Sequence, residues 1–291
     1  MKRLAFAVLP LAVALLGRHN PLDALVRGTW VHFWQTGTGE QTVTMCLPAQ
    51  TPDELVGHRA ELPDRVRAMH AAGATVVAID WDLSVADPSD DALREAAKAG
   101  PTLFGREGEA LAFAEPSGTT EMDHAWLLPL VLAARPAAEQ PLGVAAFALH
   151  TGGPARIPHD DPVLFMPYRI PTLHWDDQAD WHLAKGRVVT IGACHTDREL
   201  TRYGPQPGPV THGEVVETLL AGRFPWEAPA GLDVLFAWLA FGAAYMARFR
   251  GGAALVGVLA VAGSLGASLF GWWLGLSGLA LGALAGWWAR D

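Results

Sequence analysis

The chain has 291 residues, 51% of them hydrophobic, and a formal net charge of −9 at pH 7. This acidic balance excludes nucleic acid as a partner, because a phosphate backbone is bound by clustered Lys and Arg side chains, which this sequence lacks. The hydrophobic residues collect at the two ends of the chain and leave a middle part rich in Asp, Glu, His and Pro. The distribution predicts an acidic domain with apolar segments on either side.

The first apolar segment follows Lys2 and Arg3 and covers residues 4–17. About fourteen apolar residues fall short of the roughly twenty that cross a bilayer as a helix, and they suit the core of a signal peptide. No convincing cleavage site follows, so we interpret residues 1–18 as an uncleaved signal anchor, with a cleaved signal peptide as the alternative. Both interpretations place the following residues outside the cytoplasm.

Strand and helix patterns alternate through the middle part, residues 19–230. Strands are predicted at 41–47, 74–80, 102–104, 163–166 and 186–192, and helices at 53–72, 90–99, 143–150 and 213–221. The strand at 74–80 is almost entirely apolar, which is typical of a strand buried on both faces. The alternation predicts an α/β domain with a mixed or parallel sheet covered by helices.

The C-terminal part, residues 231–291, is the most apolar, and no charged residue occurs between 251 and 288. It predicts three transmembrane helices at about 231–248, 252–269 and 272–289, since backbone groups in hydrocarbon must be paired within helices. Arg248 and Arg250 lie in the first loop, where cytoplasmic positive charge is expected. The expected protein is therefore multi-pass in the inner membrane, with its acidic domain periplasmic or extracellular and its C-terminus cytoplasmic.

Glycines recur every four residues in the last helix, at Gly278, Gly282 and Gly286. Small residues at this spacing let two helix backbones approach closely. We interpret the stripe as packing within the chain's own bundle. Formation of a homo- or hetero-oligomer through the same face is the alternative.

Several segments together resemble the type 2 CHASE sensor domain (CHASE-2), an extracytoplasmic domain of bacterial receptors followed by three membrane helices. The matching residues, in the family's order, are 72–80, 90–93, 96–97, 185–192, Asp197, Gly213 and 219–223. Two features depart from the family: the first strand ends in Met45, Cys46, Leu47 and Pro48 instead of an acidic pair, and Val215–Val216 stand where a histidine is common in the helix after the last strand.

The resemblance implies a transmembrane sensor or signalling subunit that detects a ligand or partner. Such receptors usually carry a cytoplasmic output domain, and none is recognised here, so a separately encoded effector is the expected partner. A membrane-anchored assembly subunit that senses nothing is the second interpretation, and an envelope enzyme is a distant third.

Ligand-binding candidates lie where the strand at 74–80 runs into an acidic loop. Asp80, Asp82 and Asp90 are the candidates from this loop, because ligands of open α/β sheets bind beyond the carboxyl ends of the strands. Asp197 joins them as a position implied by the resemblance. Carboxylates are suited to a hard cation, but the spacing matches no calcium loop, and a solvated loop that caps the next helix is the favoured interpretation.

The two cysteines, Cys46 and Cys194, lack metal-ligand spacing. Both follow apolar, strand-like runs, so a disulfide and two buried free thiols remain open alternatives. His195 follows Cys194 directly, but neighbouring side chains on a strand diverge, which argues against a catalytic pair. We therefore predict no catalytic residue, no metal and no cofactor.

Overall fold

The computed structural model describes residues 37–81, 83, 86–106, 117–119, 123–124, 129–130, 141–154, 168–201, 204–222, 226–227, 230–247, 250–268, 272–273 and 276–290. The signal anchor predicted at 1–18, the strand predicted at 163–166, Asp82 and Arg248 lie outside these residues. Elsewhere the α/β pattern expected from the sequence can be compared with the structure directly.

The first half of the α/β part begins with short strands and two consecutive helices. In chain order it contains β1 (Gly37–Thr38), β2 (Thr42–Cys46), α1 (Pro52–His58), a 3₁₀ turn (Arg59–Glu61), α2 (Leu62–Ala71), β3 (Val76–Asp80), α3 (Asp90–Ala97), β4 (Thr102–Arg106), β5 (Ser117–Thr119), β6 (Asp123–His124) and β7 (Pro129–Leu130). The single helix predicted at 53–72 is thus two helices, because Pro63 starts a new first turn and cannot continue the preceding one.

The second half contributes the remaining strands of the sheet and two helices. It contains α4 (Leu142–Thr151), β8 (Tyr168–Arg169), β9 (Thr172–His174), a 3₁₀ helix (Gln178–Ala184), β10 (Val188–Gly192), β11 (Arg198–Thr201), β12 (Gly204–Pro207) and α5 (Gly208–Ala221). Strand β9 and the β11–β12 hairpin were not predicted. Helix α5 begins five residues before the predicted start at Gly213, because Pro209 fits its first turn.

Six strands form one parallel sheet in the order β5-β4-β3-β10-β2-β9. Strand β10 comes late in the chain yet lies between β2 and β3, so the connection from β2 to β3 passes over its position. At the carboxyl edge, Gly192 of β10 is in register with Cys46 on one side and Asp80 on the other. The parallel α/β architecture of the predicted fold class is therefore present.

Helices cover both faces of this sheet. On one face Val43, Ile79 and Ile191 pack with α2, α3 and the 3₁₀ helix at 178–184. On the other face Val76, Ala78 and Val188 pack with α4 and α5. Alternate strand residues point to opposite faces, so Cys46, Asp80 and Gly192 all belong to the α5 side.

The remaining elements are β13 (Trp226–Glu227), α6 (Ala230–Met246), α7 (Arg250–Ser268), β14 (Trp272–Trp273) and α8 (Leu276–Arg290). The three helices pack around Ala240, Ala244, Leu279 and Ala283, and β13 pairs with β14 in parallel. Gly282 and Gly286 of α8 lie against the backbone carbonyls of Ala237 and Phe241 in α6. At these two positions the glycine stripe lets α8 pack closely against α6 of the same chain. The surroundings of Gly278 lie outside what the structure describes.

The predicted transmembrane bundle is wrong for the part of the chain that the structure describes. No helix there combines the length and the apolar composition that a bilayer crossing needs. Helix α6 has 17 residues and α8 has 15. At ~1.5 Å per residue each helix is roughly 26 Å long or shorter, whereas the hydrocarbon core of a bilayer is about 30 Å thick. The predicted multi-pass localisation in the inner membrane depended on this bundle, so it is wrong for the described residues as well.

Candidate functional site

The start of α5 meets the carboxyl edge of the sheet directly beside β3 and β10. A β-carbon at Gly192 would collide with the Pro209 ring and lie 2.7 Å from the carbonyl oxygen of Asp80. Only a residue without a side chain lets the first turn of α5 approach the strand ends so closely. This approach places the side chains of the first turns of α5 over Asp80.

Asp80 and His212 form a buried pair at this contact. Oδ1 of Asp80 lies 3.4 Å from Nε2 of His212, and the two residues are 5% and 1% exposed. The other carboxylate oxygen, Oδ2, is buried and accepts no hydrogen bond from the described part of the chain. A buried carboxylate oxygen without a donor costs free energy, so it needs an explanation beyond packing.

Asp197 brings a second carboxylate to the same place. Its backbone N–H donates to the carbonyl of Ala193 (3.0 Å), and its carbonyl accepts from the N–H of Gly208 (3.2 Å), which fixes a turn at residues 193–197. A β-carbon at Gly208 would collide with Oδ2 of Asp197 and lie 2.9 Å from Oδ2 of Asp80. Asp80, Asp197, Gly208 and His212 are hereafter called the edge cluster.

The chemistry of the edge cluster is that of an acceptor site. Two carboxylates lie at the N-terminus of a 14-residue helix, where the macrodipole stabilises negative charge. Among the described residues, no group of three or more His, Cys, Asp or Glu side chains is arranged to hold a metal ion. The carboxylate oxygens of the cluster can accept hydrogen bonds from an ammonium or hydroxyl group.

Cys46 and Cys194 form a disulfide next to this cluster, with their Cα atoms 5.3 Å apart. Of the two alternatives left open by the sequence, the structure has the bonded one. The pair joins the end of β2 to the turn that carries Asp197. Cys194 is thereby withdrawn from nucleophilic chemistry, and the neighbouring His195 is exposed.

Asp90, another ligand candidate, is bound elsewhere. Its Oδ1 accepts a hydrogen bond of 2.8 Å from the Arg59 guanidinium, and Oδ2 accepts one of 2.8 Å from the Asp87 backbone N–H. Asp91 is exposed and pairs with Arg94 at 2.7 Å. Asp82 lies outside the described residues. Of the predicted candidates, the structure thus brings together Asp80 and Asp197, while Asp90 organises the start of α3.

His212 and Gly208 were missed because the helix was predicted to begin at Gly213. The dipeptide Gly208–Pro209 contains the missing signal, since proline is favoured in the first turn of a helix. With that start, His212 lies one turn inside α5 on the sheet side. Helix α5 therefore contains a histidine, His212, ahead of Val215–Val216.

Two buried glutamates extend the polar contact along α5. Glu217 accepts hydrogen bonds of 2.8 Å from the Gln41 N–H and from the Thr42 hydroxyl. Glu214 accepts one of 3.2 Å from the Tyr168 N–H. Burial raises the pKa of Glu214 well above its ordinary value, and the hydrogen bonds from Tyr168 and Gln206 only partly oppose this. Helix α5 thus packs against the rest of the α/β part through buried polar groups, and the pKa of one of them, Glu214, is raised.

The fold and the edge cluster define an open parallel α/β domain with a buried acidic site. Comparisons with protein-family models, with curated proteins and with solved structures find no match to this chain. The resemblance to the type 2 CHASE domain therefore stays a prediction from the sequence.

Proposed function

We propose that this chain is a ligand-binding signalling subunit whose α/β domain receives a small molecule at the edge cluster. The observation that supports this most is the buried Oδ2 of Asp80, which has no donor within the described residues. It lies at the carboxyl edge of the central strands, the place where open α/β sheets bind their ligands. A ligand donor would remove the cost of leaving this oxygen without a hydrogen bond.

The ligand class follows from the groups at the site. Asp80 and Asp197 offer acceptors and negative charge, so the ligand contributes an ammonium group, or hydroxyl groups, to the cluster. His212 lies on the first turns of α5, so a ligand that binds here also contacts the helix. A ligand shifts a conformational equilibrium only through different affinities for its two states. The two states proposed here differ in how closely the start of α5 approaches Gly192.

The second half of the proposal is a separately encoded effector that reads the state of the subunit. Helices α6 to α8 leave large apolar side chains exposed, among them Leu239 at 57%, Val258 at 65% and Leu259 at 61%. We take these side chains as parts of one interaction surface, since exposed apolar patches mark interaction sites on folded proteins. An effector bound here would cover these exposed side chains. Beneath them, the three helices pack mainly through small alanine side chains.

A subunit that assembles without sensing is the alternative, and the tight packing at the edge favours it. The Asp80 side chain is only 2% exposed, and the strand ends contact α5 without space for a β-carbon at Gly192 or Gly208. In this alternative the edge cluster fixes α5 and the chain serves only as a partner. Binding measurements separate the two functions.

Thermal unfolding of the full chain in the presence of small molecules provides the test. The compounds are ethanolamine, spermidine, glucose and calcium chloride, so that amines, a polyol and a hard cation are compared. At a hundredfold excess over its Kd a ligand adds about 2.7 kcal/mol, which raises Tm by roughly 6 °C in a protein of this size.

The amines are expected to raise Tm of the wild type and of Asp91→Asn, an exposed control, but not of Asp80→Asn. A shift that survives in Asp80→Asn would place binding elsewhere. No shift with any of the compounds, together with a partner that co-purifies in fixed proportion, would establish the assembly subunit instead.

A further inference from the structure

The disulfide and the edge cluster share one edge of the sheet. Cys46 is in register with Gly192, and Gly192 is in register with Asp80 on its other side. Cys194 follows two residues after Gly192 and begins the turn that ends at Asp197. The S–S bond therefore connects the end of β2 to the segment that holds the second carboxylate of the cluster.

We propose that the Cys46–Cys194 disulfide regulates the edge cluster, because its reduction by a dithiol releases the turn at 193–197 and withdraws Asp197 from Gly208. The inference rests on the proposed function, since it concerns the regulation of the same ligand site. In the oxidised form the two carboxylates act together; in the reduced form Asp80 remains and Asp197 moves away.

The chemical step is an ordinary thiol–disulfide exchange. Cys46 is partly exposed, whereas Cys194 is 6% exposed, so a thiolate of the dithiol reaches the Cys46 sulfur and expels Cys194 as a thiolate. The second thiol of the dithiol then displaces Cys46 and closes its own disulfide. Two electrons and two protons pass to the protein, which ends with two thiols, and the dithiol ends as a disulfide.

The effect is local because the rest of the edge does not depend on the bond. Strands β2 and β10 are paired along their whole length by backbone hydrogen bonds, and both faces of the sheet have their own apolar contacts. The Leu47 N–H also donates to the Gly192 carbonyl (2.9 Å). Once the S–S bond opens, the turn keeps its hydrogen bonds from Asp197 to Ala193 and from Gly208 to Asp197 but loses its covalent link to the end of β2.

Hydrogen exchange of the full chain, with no small molecule added, tests this inference. Oxidised protein and protein reduced with dithiothreitol are labelled for minutes and compared peptide by peptide. We expect the amides of Asp197 and Gly208 to exchange roughly tenfold faster after reduction, which corresponds to a fall of about 1.4 kcal/mol in the free energy of local opening. Val76–Asp80, in the centre of the sheet, is expected to stay protected in both forms.

The double variant Cys46→Ser, Cys194→Ser is expected to exchange like the reduced protein and to be unaffected by dithiothreitol. Equal loss of protection at Val76–Asp80 would show that the bond holds the whole domain together and would overturn the inference. Unchanged exchange at Asp197 and Gly208 would overturn it as well. A negative result with the amines would remove the ligand site, yet it would leave these exchange rates as measured, so the two failures are distinguishable.

Discussion

The ion pair of Arg59 and Asp90 gives the sharpest prediction about stability. The guanidinium and carboxylate are 2.8 Å apart, and both side chains are 8% exposed. Replacing Arg59 by Met leaves the Asp90 carboxylate buried without its opposite charge. Breaking a buried pair from one side costs roughly 3–5 kcal/mol, so Arg59→Met is expected to lower Tm by about 10 °C. Asp90→Asn leaves the Arg59 guanidinium as the one buried charge, but it is expected to cost less because the Asn side-chain oxygen can still accept the hydrogen bond from Arg59.

The matched control is an exposed ion pair on the next helix. Arg67 and Asp64 are 2.6 Å apart but 47% and 74% exposed, and such pairs contribute about 0.2–1 kcal/mol. Urea unfolding followed by circular dichroism is measured for Arg59→Met, Asp90→Asn, the double variant and Arg67→Met. The cycle at the buried pair is expected to show at least about 1.5 kcal/mol of coupling. Additive single effects, or a loss in Arg59→Met no larger than in Arg67→Met, would refute the reasoning.

Three further predictions concern a buried acid, a helix contact and a surface carboxylate. The raised pKa of Glu214 means that the unfolded chain loses this proton above about pH 4.5 while the folded chain keeps it to higher pH. As the pH rises above about 4.5, the free energy of unfolding of the wild type is therefore expected to fall relative to that of Glu214→Gln, by up to ~1.4 kcal/mol per pH unit, when both are measured by urea unfolding. Gly286→Leu places a side chain against the Phe241 carbonyl and is expected to cost about 1–3 kcal/mol, whereas Gly263→Leu, on an open helix face, is expected to cost nothing in the same unfolding assay. Trp175→Phe removes the 2.7 Å hydrogen bond from the indole to Glu61, the main cause of the lowered pKa of that carboxyl, and an NMR titration is expected to show this pKa rising toward 4.5; an unchanged pKa would contradict the assignment.

The sequence predicted the central strands because they are continuous apolar runs bounded by polar residues. β3 and β10 were found within two residues, since Asp80 and Gly192 mark where their runs end. It did not predict that β10 lies between β2 and β3, because strand order depends on packing between segments more than a hundred residues apart. Local patterns contain no information about such contacts.

The candidate site was predicted only in part, because its residues also come from segments that are far apart in the sequence. Asp80 stood out because it ends a buried strand, but its partner His212 is far along the chain and was hidden by a wrong helix start. The absence of charged residues between 251 and 288 was interpreted as evidence for helices that cross a lipid bilayer. The structure differs, because no helix among the described residues combines the length and apolar composition needed to cross a bilayer.

The central position of β10 also constrains how the protein is made. Until residue 192 has left the ribosome, β2 and β3 have no common neighbour, and each presents an open strand edge to other nascent chains. Early synthesis products are therefore prone to pair with one another, and chaperone binding during that interval would raise the yield of native protein. Fragments that stop before Val188 would not form this sheet at all.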